Sequence, residues 1–133
     1  MKLFDDSKHK LNDEVMDNLH HEFLYIYNSA DLGSNESIKQ KLQQLHTHTI
    51  NHFEIEEAIM NAITYTTKKE HIDEHTKVLN EMQYFINMQP TLFGHKMVKS
   101  YYIEKLPEWF DLHLLSMDSD LASQVKKFFQ ESK

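Results

Sequence analysis

Apolar residues recur along this chain at alternating steps of three and four, and in each run histidines or carboxylates occupy some of the apolar positions. The first run, Asn12 to Ala30, puts Met16, His20, Phe23 and Tyr27 on one stripe. Asn12 can cap it, and Asp13 and Glu14 suit the positive end of a helix dipole. After a Gly33-Ser34-Asn35 turn, a second seam runs through Ile38, Leu42, Leu45, Thr49, His52, Glu56, Ile59 and Ile63. This is the heptad-like spacing of a helix with one buried face. The Thr-rich stretch from Asn61 to Lys69 ends it. A third helix starts near Lys69 or Glu70, reads His71, His75, Val78, Met82 and Phe85, and stops by Pro90.

The fourth segment carries Val98, Tyr102, Leu106, Trp109 and His113, with Pro107 either opening a helix or kinking one already under way. Beyond His113 the register slips, because Asp118 aligns with Leu121, Val125 and Phe128, one residue out of phase. One extra residue between Leu114 and Met117 explains the slip, as a π-bulge or as a break between helices. Four amphipathic segments with short links predict an all-α, up-down-up-down four-helix bundle with polar residues projecting into its core. A single domain spans 1–133, with an N-terminal arm at 1–11.

Composition narrows the functional classes. Two glycines and two prolines in 133 residues leave few helix breakers. A formal charge of −7 argues against nucleic acid or an anionic membrane as partner, since both attract basic surfaces. With no cysteine, thiolate metal sites, iron–sulfur ligation and cysteine nucleophiles are excluded. No run approaches the ~20 apolar residues that span a bilayer. The N-terminus has no signal-like apolar run, so a cytoplasmic location is expected.

The stripes therefore hold seven residues of metal-ligand type: His20, His52, Glu56, His71, His75, His113 and Asp118. Burying imidazoles and carboxylates unpaired is costly, and a shared metal is the cheapest compensation. His52 and Glu56 are four apart, as are His71 and His75, so each pair projects from one helix face. Asp118 lies about 140° around an ideal helix from His113, and only the register slip brings the two onto one face. His9, His21, His46, His48 and His95 read as background, with His48 at the surface. Five nitrogens and two carboxylates exceed one ordinary site and match two ions sharing bridging carboxylates. The imidazole-rich set suits Fe, Zn, Cu or Mn rather than Mg or Ca. Leaving such groups buried and unsatisfied costs about 1–3 kcal/mol each, which weighs against a metal-free helical interaction module.

Four motifs resemble those of single-domain bacterial hemerythrins. They are Met-Asp-Asn-Leu-His-His-Glu-Phe at 16–23, His-Phe-Glu-Ile-Glu-Glu-Ala-Ile-Met at 52–60, Glu-His-Ile-Asp-Glu-His at 70–75 and Trp-Phe-Asp-Leu-His-Leu-Leu-Ser-Met-Asp at 109–118. The resemblance implies a non-haem di-iron protein. His71, His75 and His113 would hold one Fe ion, and His20 and His52 the other. Glu56, Asp118 and an oxo or hydroxo group would bridge them. It further implies that O2 binds reversibly at the less saturated iron as a hydroperoxide, in a pocket of Phe23, Phe53, Trp109, Phe110 and Leu114. Storage, delivery, scavenging or sensing of oxygen would follow, without net turnover and with a reductant or signalling partner beside it. The alternative is a di-iron redox enzyme that reduces O2, peroxide or nitric oxide, or an iron storage or repair protein.

Overall fold

The structure, a computed structural model, describes residues 9–131, so residues 1–8 of the expected arm lie outside it. Among the described residues the chain is entirely helical, with no strands. Helix α1 spans Glu14–Asn28, α2 Asn35–Ile63 and α3 Lys68–Ile86. The fourth stretch is one helical path in five pieces: α4 Leu92–Ser100, a π-helical turn Tyr101–Lys105, α5 Leu106–His113, a second π-helical turn Leu114–Asp118, and α6 Ser119–Glu131.

Local chemistry sets the ends. Asp13, not Asn12, caps α1: its carboxylate accepts from the Met16 amide at 3.1 Å. Asn12 instead takes φ 57°, a left-handed conformation that asparagine tolerates better than most residues. Ser34 caps α2 and Thr91 caps α4, each through its hydroxyl. Helix α2 stops at Thr64, which is left-handed at φ 58° and donates its amide to Met60.

Helix α2 packs against α1, α3, α4 and α6, and α3 also meets α4. The interior has two apolar clusters. One contains Phe23, Leu42, Leu45, Met82, Tyr102, Leu106 and Phe110, and the other Met16, Met60, Ile63, Tyr65, Leu121 and Ala122. The polar stripe residues lie between these clusters along each of the four helical stretches. On α1 the order is Met16, His20, Phe23; on α2 it reverses to Leu45, His52, Glu56, Met60. It reverses again on α3 and once more from Phe110 through His113 and Asp118 to Leu121.

The register slip after His113 is the second π-turn. Its wider turn absorbs the extra residue and keeps both His113 and Asp118 on the buried face, at 5 % and 1 % exposure. The first π-turn was not foreseen. It ends two residues before Pro107, which lacks an amide N–H and crowds the carbonyl four residues back, and the helix accommodates the proline by widening rather than starting afresh. Two stripe positions also differ: Met60 rather than Ile59 is fully buried on α2, and Phe128 is exposed on α6. No helix among the described residues is long and apolar enough to cross a membrane.

Candidate metal centre

Seven polar side chains from four helical stretches meet between the two apolar clusters. His20 comes from α1, His52 and Glu56 from α2, His71 and His75 from α3, His113 from the end of α5, and Asp118 from the second π-turn. All seven are at most 5 % exposed. Their donor atoms form two overlapping groups, Glu56, His71, His75, His113, Asp118 and His20, His52, Glu56, Asp118, with every atom of a group within 4.8 Å of the others.

The two carboxylates belong to both groups, and each turns one oxygen to each. Asp118 Oδ2 lies 2.8 Å from His20 Nε2, while its Oδ1 lies 3.1 Å from the Nε2 atoms of both His71 and His113. Glu56 Oε2 lies 2.7 Å from His52 Nε2, while its Oε1 lies 3.0 Å from His75 Nε2 and 3.5 Å from His71 Nε2. All five imidazoles therefore point the same ring nitrogen, Nε2, inward.

Hydrogen bonding alone does not satisfy this arrangement. His75 Nε2, His113 Nε2 and Glu56 Oε1 have no hydrogen-bond partner despite their short separations from opposite donors. Such buried orphans cost about 1–3 kcal/mol each. A cation among them would accept the lone pairs that now face one another, so the residues fit a buried metal. The donor set, imidazole nitrogen with carboxylate oxygen, suits a transition metal.

Electrostatics keeps the carboxylates charged. Burial works against the Asp118 charge, but His113, His20 and His71 outweigh it and hold the carboxyl well below its ordinary range. Glu56 is opposed by burial and by Asp118, yet His52 and His71 pull it down as well. Burial would lower His71, but its hydrogen bonds to Asp118 and Glu56 prevail and push it up to about 9.

The five residues expected to line a pocket also gather here. Phe53 stacks on His75 with ring centres 3.6 Å apart and a 3° tilt, and Trp109 stacks on His113 at 5.1 Å. Phe110 stacks on Phe23 at 4.8 Å and presents its edge to His20 at 5.8 Å. Leu114 is buried in the same apolar cluster as Phe23 and Phe110. Outside Trp109, an open groove of about 460 Å³ runs past Glu74 and Glu108 to His113.

Several residues near the centre escaped the sequence reading. His48 is partly buried rather than fully exposed: its side chain is 10 % exposed, contacts the Leu19 carbonyl at 3.2 Å and lies beside His52. Its burial lowers its proton affinity. His9 is 2 % exposed and meets Asp111 at 2.8 Å, against the edge of Phe110. Glu57 contacts His75 Nδ1 at 3.0 Å, and Glu74 accepts the Trp109 indole N–H at 2.9 Å. Charged positions one residue away from a ligand carry no periodic signal, so only tertiary packing reveals them.

Neither a family model, nor a curated protein, nor a solved structure matches the chain.

Proposed function

We propose that the chain is a hemerythrin-like di-iron protein that binds O2 reversibly, within an up-down-up-down four-helix bundle. The observation that carries this reading is the pair of carboxylates, each with one oxygen toward His20 and His52 and the other toward His71, His75 and His113. A single ion would engage only one of these faces. Two ions use both. The bundle topology is supported by the order of the apolar clusters, which reverses from each helical stretch to the next.

His71, His75 and His113 would hold one iron, His20 and His52 the other, with Glu56 and Asp118 between. The count is unequal, so the two-histidine side keeps more room for an added ligand. When bound, a pair of ferrous ions supplies the two electrons that dioxygen takes up and returns on release. The protein's part is to keep the site dry. Phe23, Phe53 and Phe110, each at most 3 % exposed, with half-buried Trp109, surround the histidine rings with apolar surface. That apolar surface limits the water and protons that could reach the site. An oxygen store or scavenger is the role this supports.

The test is to load the protein anaerobically with Fe(II), count iron per chain, admit air and then remove the oxygen. Two irons and a visible charge-transfer band that appears with oxygen and fades on its removal are expected. Two irons that oxidise once, irreversibly, and turn over only with added reductant would replace this reading with a redox enzyme. Fewer than two irons would remove it.

A further inference from the structure

The five inward-facing imidazoles differ at their outer nitrogens. The Nδ1 atoms of His20, His71 and His113 are buried with no hydrogen-bond partner. His75 Nδ1 lies 3.0 Å from Glu57 Oε2, a carboxylate whose side chain is 34 % exposed. Phe53, lying flat on the same imidazole, blocks rotation about the ring's own axis. His75 is thus held on three sides: a carboxylate outside, an aromatic face beside it, and Glu56 Oε1 at 3.0 Å from its inner nitrogen.

We propose that Glu57 is a positioning residue for the metal centre: it holds the proton of His75 on Nδ1 and so commits Nε2, as a bare lone pair, to the ion shared with His71 and His113. This rests on the reading of the seven residues as metal ligands. A carboxylate accepting the outer N–H removes the competing tautomer, in which the inner nitrogen carries the proton and cannot bind a metal. It also pushes electron density into the ring and strengthens the inner donor. The three-histidine side therefore contains an imidazole with partial imidazolate character, which favours the higher oxidation state of the ion it holds. Glu57 comes from α2 and His75 from α3, so the contact also ties metal binding to the packing of these two helices.

The experiment uses full-length protein labelled with ¹⁵N at histidine, titrated with Zn(II), and separately loaded with iron for a midpoint potential. The variants are Glu57→Ala, Glu57→Gln and, as a control on an exposed glutamate of the same helix, Glu54→Ala. Wild type is expected to bind Zn(II) with His75 protonated at Nδ1 in long-range ¹H–¹⁵N spectra. Glu57→Ala should weaken Zn(II) binding about 10–100-fold, as loss of such a partner generally does. It should also shift the His75 nitrogen resonances and raise the iron midpoint potential. Glu57→Gln, whose amide oxygen still accepts the N–H, should recover most of the affinity and the tautomer but not the potential. Glu54→Ala should match wild type. Zinc affinity, His75 resonances and potential all unchanged in Glu57→Ala would overturn the assignment while leaving the centre intact. A wild-type protein that takes up neither metal would remove the centre itself, a separate failure that the wild-type titration reads first.

Discussion

At the scale of single residues, the centre is a set of charges that need one another. His71 illustrates the consequence for pH. In the metal-free protein its value rises from the ordinary 6.5 to about 9, because its carboxylate partners outweigh its burial. The folded state therefore binds the proton more tightly than the unfolded chain. That contribution to stability is complete below pH 6.5 and is lost as pH rises through about 9. Urea unfolding of metal-free protein should accordingly give a lower midpoint at pH 9 than at pH 6. Metal binding has the opposite dependence, since it must displace the His71 proton. Zn(II) affinity should climb between pH 6.5 and 9, and calorimetry in two buffers of different ionisation heat should detect released protons. A pH-independent affinity would mean that His71 is not a ligand. The apolar wall offers a second test at this scale. Leu114→Ser puts a hydroxyl at a position only 1 % exposed. Under the proposed oxygen-binding function it should speed the decay of the oxygenated spectrum to the ferric one at unchanged iron content, and an unchanged decay would remove Leu114 from the proposed pocket.

At the scale of elements, the π-turn Leu114–Asp118 matters most. In an uninterrupted α-helix, Asp118 would sit about 140° from His113. The widened turn brings Asp118 Oδ1 to 3.1 Å from His113 Nε2. Inserting an alanine after exposed Ser116 adds a residue that this turn does not absorb and should rotate Asp118 by about 100° out of the centre. The expected result is a helical protein that binds fewer ions per chain; wild-type metal stoichiometry would show that the register of this turn does not set the site. The start of α4 depends on a different constraint. A Cβ on Gly94 would lie 2.0 Å from the Gln89 carbonyl oxygen, a backbone atom that cannot step aside. Gly94→Ala should therefore destabilise the fold by about 1–3 kcal/mol, measured by urea unfolding, in the range usual for overpacking. The π-turn before Pro107 and the one before Ser119 have different origins, the first in a missing amide and the second in an extra residue.

At the scale of the whole molecule, a layer of buried polar groups divides the core in two, and aromatic packing on the imidazoles leaves the facing donor atoms of that layer unsatisfied. Metal is expected to satisfy them. Ligand that binds only the folded state adds about 2.7 kcal/mol at a hundred times its dissociation constant. Tm should therefore rise with free Zn(II) or Fe(II) and fall on chelation, followed by circular dichroism. A Tm indifferent to metal would argue that the histidine–carboxylate contacts already suffice. The N-terminal strap adds a second closure. His9 holds Asp111, the Leu11 amide donates to Asp17, and Lys126 donates to the Leu11 carbonyl, tying residues 9–11 to α1, α5 and α6.

The sequence by itself determined which faces are buried, because helical periodicity is a property of the chain alone: His20, His52, Glu56, His71, His75, His113 and Asp118 were legible as polar residues inside apolar columns. The slip at 114–117 was legible for the same reason. Tertiary structure alone decided which oxygen faces which nitrogen, and hence that Glu56 and Asp118 each serve two groups. It also decided the partners outside the stripes. His9 with Asp111 is separated by 102 residues and His75 with Glu57 by 18. Such pairs are set by how helices pack against one another, and spacing within a single helix contains no record of that.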